Sequence, residues 1–389
     1  MPRSRRRCTL ARSTPAHWCA NTWPGRWRRP EGANPMDRRT ACLAAMATPW
    51  LLAHGVARAQ DARLSTVSAW RRRVQAMLDR GRLPLIDLQA TYISEASVQA
   101  NPGIVRTGGK ATDVAQMVRW MDELDIALLA FAPAFAPSGE PSLALHREHP
   151  DRFIPTTNSG EFARWWNDPV AFVRQSAADL QTGAYYFMGE HEFRHYPSPE
   201  QAAAGQTARD ITVDIQGPGG KALFELSART GMAFQIHYEI EDKLLPPLEA
   251  MLQAHPQARV IWCHLGQVRY PERNTRYGPA YVRGLIERFE HLHFDLAVAR
   301  ASFVYKPSGA RDSTLFDAGG RVAEGWRQLI EEHPRRFLAA SDYRPAVEKN
   351  YPHQIGHQRQ EILAAFTPAT QRKLAFENAW RLITGSDWA

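Results

Sequence analysis

Met232-Ala233-Phe234-Gln235-Ile236-His237 is an apolar run of strand character that closes on a single imidazole. Two later stretches repeat the pattern. Trp262-Cys263-His264-Leu265-Gly266 continues the β-branched pair Val260-Ile261, and Ala339-Ala340-Ser341-Asp342-Tyr343 closes on a carboxylate. Taken singly, each polar residue reads as a cap or a satisfied core group. Three at equivalent ends of three runs read differently, because side chains at the carboxyl ends of parallel strands converge when those strands close into a barrel. Two imidazoles and a carboxylate in one pocket suit metal binding or acid–base work.

Outward from these runs, the chain alternates short apolar segments with longer helical ones. Strands are expected at Leu83–Leu88, Ile126–Ala132, Arg152–Thr157, Ala184–Gly189, Met232–His237, Arg259–His264, Leu292–Val298 and Arg336–Ser341. Between them, Ala111–Leu124, Pro169–Gln181, Gly220–Thr230, Leu244–His255, Gly278–Glu290 and Arg321–Glu332 carry helical periodicity. This alternation predicts an α/β fold, a single-domain (β/α)8 TIM barrel over residues 82–389. A doubly wound open sheet is the alternative, and the absence of a Gly-rich fingerprint after the first strand weighs against it. Spaced Val67, Trp70, Val74 and Leu78 predict an outer helix within a linker segment, residues 60–81. Long connections after the fourth, sixth and seventh strands are where such a barrel builds its pocket.

The basic balance is confined to one end. Of 48 basic and 40 acidic residues, eleven Arg and the acids Glu31 and Asp37 lie in residues 1–60, which leaves 37 against 38. A near-neutral remainder gives no argument for nucleic acid or an anionic membrane as partner. Within the basic end, Asp37-Arg38-Arg39 precedes an apolar run from Ala41 to Val56 and then Ala57-Arg58-Ala59. A charged start, a short apolar stretch and a small-x-small site predict a signal peptide over residues 36–59 and export to the periplasm. The run is short and interrupted by Pro49 and His54, so stable membrane insertion is not expected. Residues 1–35 read as a mis-called start or a disordered extension. Cys8, Cys19 and Cys42 fall in this leader, which leaves Cys263 without an intramolecular disulfide partner.

The ordered motifs resemble the amidohydrolase superfamily, in its amidohydrolase-related branch of metal-dependent hydrolases, lactonases and nonoxidative decarboxylases. The resemblance is carried by Arg82-Leu83-Pro84-Leu85-Ile86-Asp87, Asp125-Ile126-Ala127-Leu128, His149-Pro150-Asp151-Arg152-Phe153, the strand-five His237, His264-Leu265-Gly266, Ser341-Asp342 and the closing Phe376-Glu377-Asn378-Ala379-Trp380-Arg381-Leu382. It spans about residues 82 to 385. By this resemblance His237 and Asp342 would bind a divalent metal, with zinc the first choice. His264 would be a further ligand or a catalytic group, and Asp342 would also take a proton from the attacking water. The family's inward pair at strand one is His-x-His or Glu-x-His. Here Gln89 and Thr91 hold those positions, and an amide and a hydroxyl are poor zinc ligands. Glu190 and His191, read as part of a loop after strand four, are the residues that could rebuild the set. A site working without a cation stays open beside the metal-loaded one.

Arg269, Arg300 and Arg344 gather near the expected barrel mouth, where guanidinium groups pair with carboxylates. With Gln89 and Thr91 they form the expected substrate contacts. The expected partner is a small and acidic organic molecule, and self-association is left open. The expected reaction is hydrolysis of an ester, lactone or amide, with Asp342 as general base. A metal-dependent decarboxylase and a decayed barrel acting as a binding protein are the alternatives.

Overall fold

The computed structural model describes residues 61–389 apart from residues 107, 266 and 347–349. The leader readings over residues 1–60, and Gly266 of the strand-six run, lie outside the described residues. Residues 61–78 form a helix that buries Trp70, Val74 and Met77. The Trp70 indole N–H donates to Pro150 O at 2.9 Å, which ties this helix to the chain just before the third strand.

Eight strands carry the architecture: β1 (Leu85–Tyr92), β2 (Ile126–Pro133), β3 (Phe153–Ile154), β4 (Met188–His195), β5 (Ala233–Tyr238), β6 (Arg259–Trp262), β7 (Leu292–Asp295) and β8 (Phe337–Leu338). Helices occupy the connections, as an α/β chain of parallel strands requires. The strands form two parallel ladders, β1-β2-β3 and β4-β5-β6-β7-β8, and a short strand, Ile211–Thr212, pairs antiparallel with the end of β4. Isolated parallel bridges stand at both seams. Thr156 pairs with Phe187 and Gly160 with His191 between β3 and β4, and Ala90 pairs with Tyr343 between β1 and the chain after β8. Every position of β2 is buried, the mark of a parallel strand covered on both faces.

Two strands run further than the apolar pattern suggests. The expected strand at Ala184–Gly189 is shifted forward, so Glu190, His191 and Glu192 are strand residues and not a loop. β1 continues through Gln89, Ala90 and Thr91. In both cases the strand enters the site, where polar side chains are buried and paired, and the hydrophobic signal ends before the hydrogen-bonded ladder does. The closing helix, Asn378–Thr384, explains part of the terminal motif. Asn378 Nδ2 donates to Pro334 O at 2.7 Å and to Phe337 O at 2.8 Å, which fixes the entry to β8. Among the described residues, no helix is long and apolar enough to cross a membrane.

The seam beside β4 depends on close backbone approach. Gly160 N–H donates to Glu190 O, and Glu192 N–H donates to Gly160 O at 3.2 Å. A Cβ at Gly160 would lie 2.9 Å from His191 Cδ2 and 3.0 Å from Glu190 O. Gly160→Ala is therefore expected to destabilise the chain by roughly 1–3 kcal/mol through overpacking. Equilibrium urea unfolding checks this, and an unchanged midpoint would show that the seam has slack.

Candidate active site

Three side chains build the centre of the site, and the charge of a fourth, Asp342, acts on it. Glu190 lies within β4 and His237 within β5, whereas His264 follows β6 by two residues and Asp342 follows β8 by four. His237 Nδ1 is 2.9 Å from Glu190 Oε1. His264 Nε2 is 3.0 Å from His237 Nδ1 and 3.3 Å from the same Glu190 oxygen. Glu190, His237 and His264 are all buried, and one ligand atom from each lies within 4.8 Å of the others. The structure thus brings both sequence-flagged imidazoles to one point, together with Glu190, one of the two residues expected to rebuild the set.

The far sides of the imidazoles decide what this point can hold. His264 Nδ1 faces Ala297 O at 2.8 Å, and His237 Nε2 faces Glu239 Oε1 at 3.2 Å. Both partners only accept, so each far nitrogen carries the proton. In neutral rings the near nitrogens would then be bare lone pairs, aimed at each other and at a carboxylate oxygen. Three such acceptors within hydrogen-bond distance require positive charge between them, as protons or as a metal ion. The protonation tendencies follow the same logic. Burial opposes charge on His237, but the hydrogen bonds to Glu190 and Glu239 outweigh it and raise the group to about 9. Burial likewise opposes charge on His264, and Glu190 and Asp342 hold it well above the ordinary imidazole value. Glu190 is held well below the usual carboxylate value because those two imidazoles outweigh its own burial.

Backbone strain is placed at the same residues. His264 has φ 62° and Asp342 φ 51°, left-handed values that cost a non-glycine residue roughly 1–2 kcal/mol. Asp295, at the end of β7, holds the first of these turns. Its Oδ1 accepts from His264 N at 2.9 Å and from Ala297 N at 3.1 Å. Asp342 is half-buried, its charge bears on His264 and Arg344, and its carboxylate takes no hydrogen bond or ion pair among the described residues.

The remaining sequence candidates fall elsewhere. His191 points away from Glu190, as alternate residues of a strand must. Its ring packs between Trp165 and Phe172, its Nδ1 lies 3.3 Å from Gln235 O, and burial lowers it to about 4. The structure does not bring it to the cluster. Gln89 does reach it, with Nε2 3.5 Å from His264 Nε2 and a buried Oε1 without a partner. Thr91 turns instead to Glu161, donating from Oγ1 at 2.7 Å. Arg269 is buried and paired with Glu239 at 3.1 Å and Asp312 at 3.4 Å, so its charge is already met. Arg300 is half-buried and pairs with Glu361 at 2.7 Å. Arg344 pairs with Glu161 and stays 36% exposed, with a buried Nε that has no partner.

Several participants escaped the sequence reading. Glu239 had a usable signal, since it sits two residues after His237 and an extended run would put both on one side. Glu161, Arg209 and Asp312 lie in no apolar run, and nothing local marks them. Arg209 pairs with Glu192 and also donates to Glu161 O.

A family model described as Amidohydrolase matches residues 146–384. The chain belongs to the amidohydrolase family. Its members are enzymes that act on small molecules. Comparison with curated proteins finds no match. Among solved structures, the chain is similar to 2,6-dihydroxybenzoate decarboxylase from Rhizobium at 12% identity, covering 77% of this chain and 98% of that one with a TM-score of 0.47. It is also similar to a putative 2-pyrone-4,6-dicarboxylic acid hydrolase from Pseudomonas putida, at 14% identity over 78% and 98% of the two chains with a TM-score of 0.49. A third is 4-oxalomesaconate hydratase from Rhodopseudomonas palustris, at 13% identity over 77% and 95% with a TM-score of 0.45.

Within this amidohydrolase the donor set fits a divalent cation. Glu190, His237 and His264 would hold it, with Asp342 at the same rim, and oxygen and imidazole nitrogen are the donors zinc takes. Strand one contributes no imidazole, and β4 contributes a carboxylate.

Proposed function

We propose that this amidohydrolase is a hydrolase that opens an ester, lactone or amide of a small organic molecule, with Asp342 as general base. The observation that carries the reading is the meeting of Glu190 Oε1, His237 Nδ1 and His264 Nε2 beside a carboxylate with no partner of its own among the described residues. A divalent cation held by the first three would supply Lewis acidity, polarising a substrate carbonyl and making water easier to deprotonate. Asp342 would take the proton, since general-base work needs an acceptor that is not already saturated. Gln89 Nε2 would donate to the substrate oxygen, which its place beside His264 allows. A substrate carboxylate would meet Arg344, on which the charge of Asp342 acts, in preference to Arg269, buried between Glu239 and Asp312, or Arg300, paired with Glu361. The seam bridges support reading the two ladders as one (β/α)8 barrel whose carboxyl rim holds all of these groups.

Elemental analysis and a substrate panel test the proposal. About one divalent ion per chain is expected, and His237→Ala should lose it, since truncation removes one of three close ligands. A native chain that binds no divalent ion at micromolar concentration would refute the cation site. The panel holds small esters, lactones, amides and aromatic acids. Net uptake of water with release of acid supports the hydrolase. Release of carbon dioxide without water uptake would replace it with a decarboxylase, and binding without turnover would leave a binding protein.

Export is part of the same proposal. In a Gram-negative host, the mature periplasmic chain should begin at or near Gln60, as amino-terminal sequencing would read.

A further inference from the structure

We infer that Glu239, held in place by Arg269 and Asp312, is a positioning residue that decides which nitrogen of His237 carries the proton, and so leaves the one facing the cluster free. The inference rests on the proposed cation site and adds a control on it. Glu239 Oε1 lies 3.2 Å from His237 Nε2, and Arg269 Nη1 lies 3.1 Å from the same oxygen. Arg269 Nε is in turn 3.4 Å from Asp312 Oδ1. All four side chains are buried or nearly so.

A neutral imidazole carries one proton, and its two tautomers differ little in energy in water. With the proton on Nε2, the Nδ1 lone pair is free for a cation shared with Glu190 and His264. With the proton on Nδ1, an N–H points at that position and blocks it. An anionic acceptor at Nε2 selects the first form and makes the opposite nitrogen more basic, the usual role of a carboxylate behind a metal-bound histidine. Glu239 can do this only while it stays ionised in a buried place, and Arg269 provides the compensating charge.

The chain of contacts also joins separate parts of the rim. Glu239 directly follows β5, Arg269 comes from the connection after β6, and Asp312 comes from the one after β7. Gln267 Nε2 donates to Asp312 Oδ2 at 3.2 Å, and Val268 N donates to Asp312 O at 2.9 Å, so the two connections are locked together. The proton position on a β5 imidazole is thereby set through two side chains, Arg269 and Asp312, that are not among the residues that would hold the cation.

The test uses the full chain and zinc alone. Competition against a chelator should show Glu239→Gln binding zinc about 10–100-fold more weakly than the native chain. Asp312→Asn, one step further out, should weaken it by a smaller factor. Histidine-selective 15N NMR of the zinc-loaded native chain should place the His237 proton on Nε2, a reading that needs no variant to fold. Native affinity retained within about twofold by a folded Glu239→Gln chain would overturn the inference alone, and so would a native His237 proton found on Nδ1. A native chain that binds no zinc overturns both the proposed cation site and this control on it.

Discussion

Asp342→Asn is expected to lower kcat by about a thousandfold on the best substrate of the panel, within the range a general base supplies. The expected loss appears in kcat and kcat/KM together, because the proton is transferred in the transition state and substrate binding does not need it. Three features make this residue the first choice. It follows β8, its charge acts on His264, and its side chain takes no partner among the described residues. The substitution keeps shape and leaves the contacts among Glu190, His237 and His264 untouched. Turnover within about threefold of native, in a chain with unchanged circular dichroism, would remove Asp342 from the chemistry, since a lost general base costs far more.

The second large effect is on stability. Glu161→Leu should destabilise the chain by about 1–3 kcal/mol, the cost of leaving buried donors without their acceptor. The Glu161 carboxylate accepts from Thr91 Oγ1 at 2.7 Å, from Ser159 Oγ at 2.5 Å and from the Arg344 guanidinium. These partners come from β1, from the chain after β3 and from the chain after β8. One buried carboxylate therefore stitches the two seams of the strand set. Leucine satisfies none of the three donors and leaves Arg344 facing an apolar group. Denaturant unfolding should show the loss in the midpoint. A loss below about 1 kcal/mol would mean that water replaces the carboxylate, and the site would be wetter than its burial implies.

The order of apolar runs made the α/β architecture legible, because burial on both faces of a parallel strand leaves a local mark. The same mark misled at strand ends. At Gln89 and Thr91 of β1 and at Glu190 and Glu192 of β4 the hydrogen-bonded ladder continues while the hydrophobic signal has stopped. Polar residues are buried there because each finds a partner, and a partner is not a local property. The choice between Glu190 and His191 shows this sharply. A shift of one residue in where β4 begins exchanges the side chain that enters the site with the one packed against Trp165. The arginines show it again. Arg269, Arg300 and Arg344 all looked available in sequence, and each has an acid beside it in the fold.

The sequence by itself determined that His237, His264 and Asp342 stand at carboxyl-terminal tips of apolar runs, since strand pattern and parity depend on neighbours a few residues away. Only the tertiary structure decided that Glu190 joins the imidazoles, that Glu239 backs His237 and that Arg344 answers to Glu161 across 183 residues. Ion pairs and lone-pair directions are settled by distances of a few ångströms between segments the chain order keeps far apart, and desolvation makes those distances decisive.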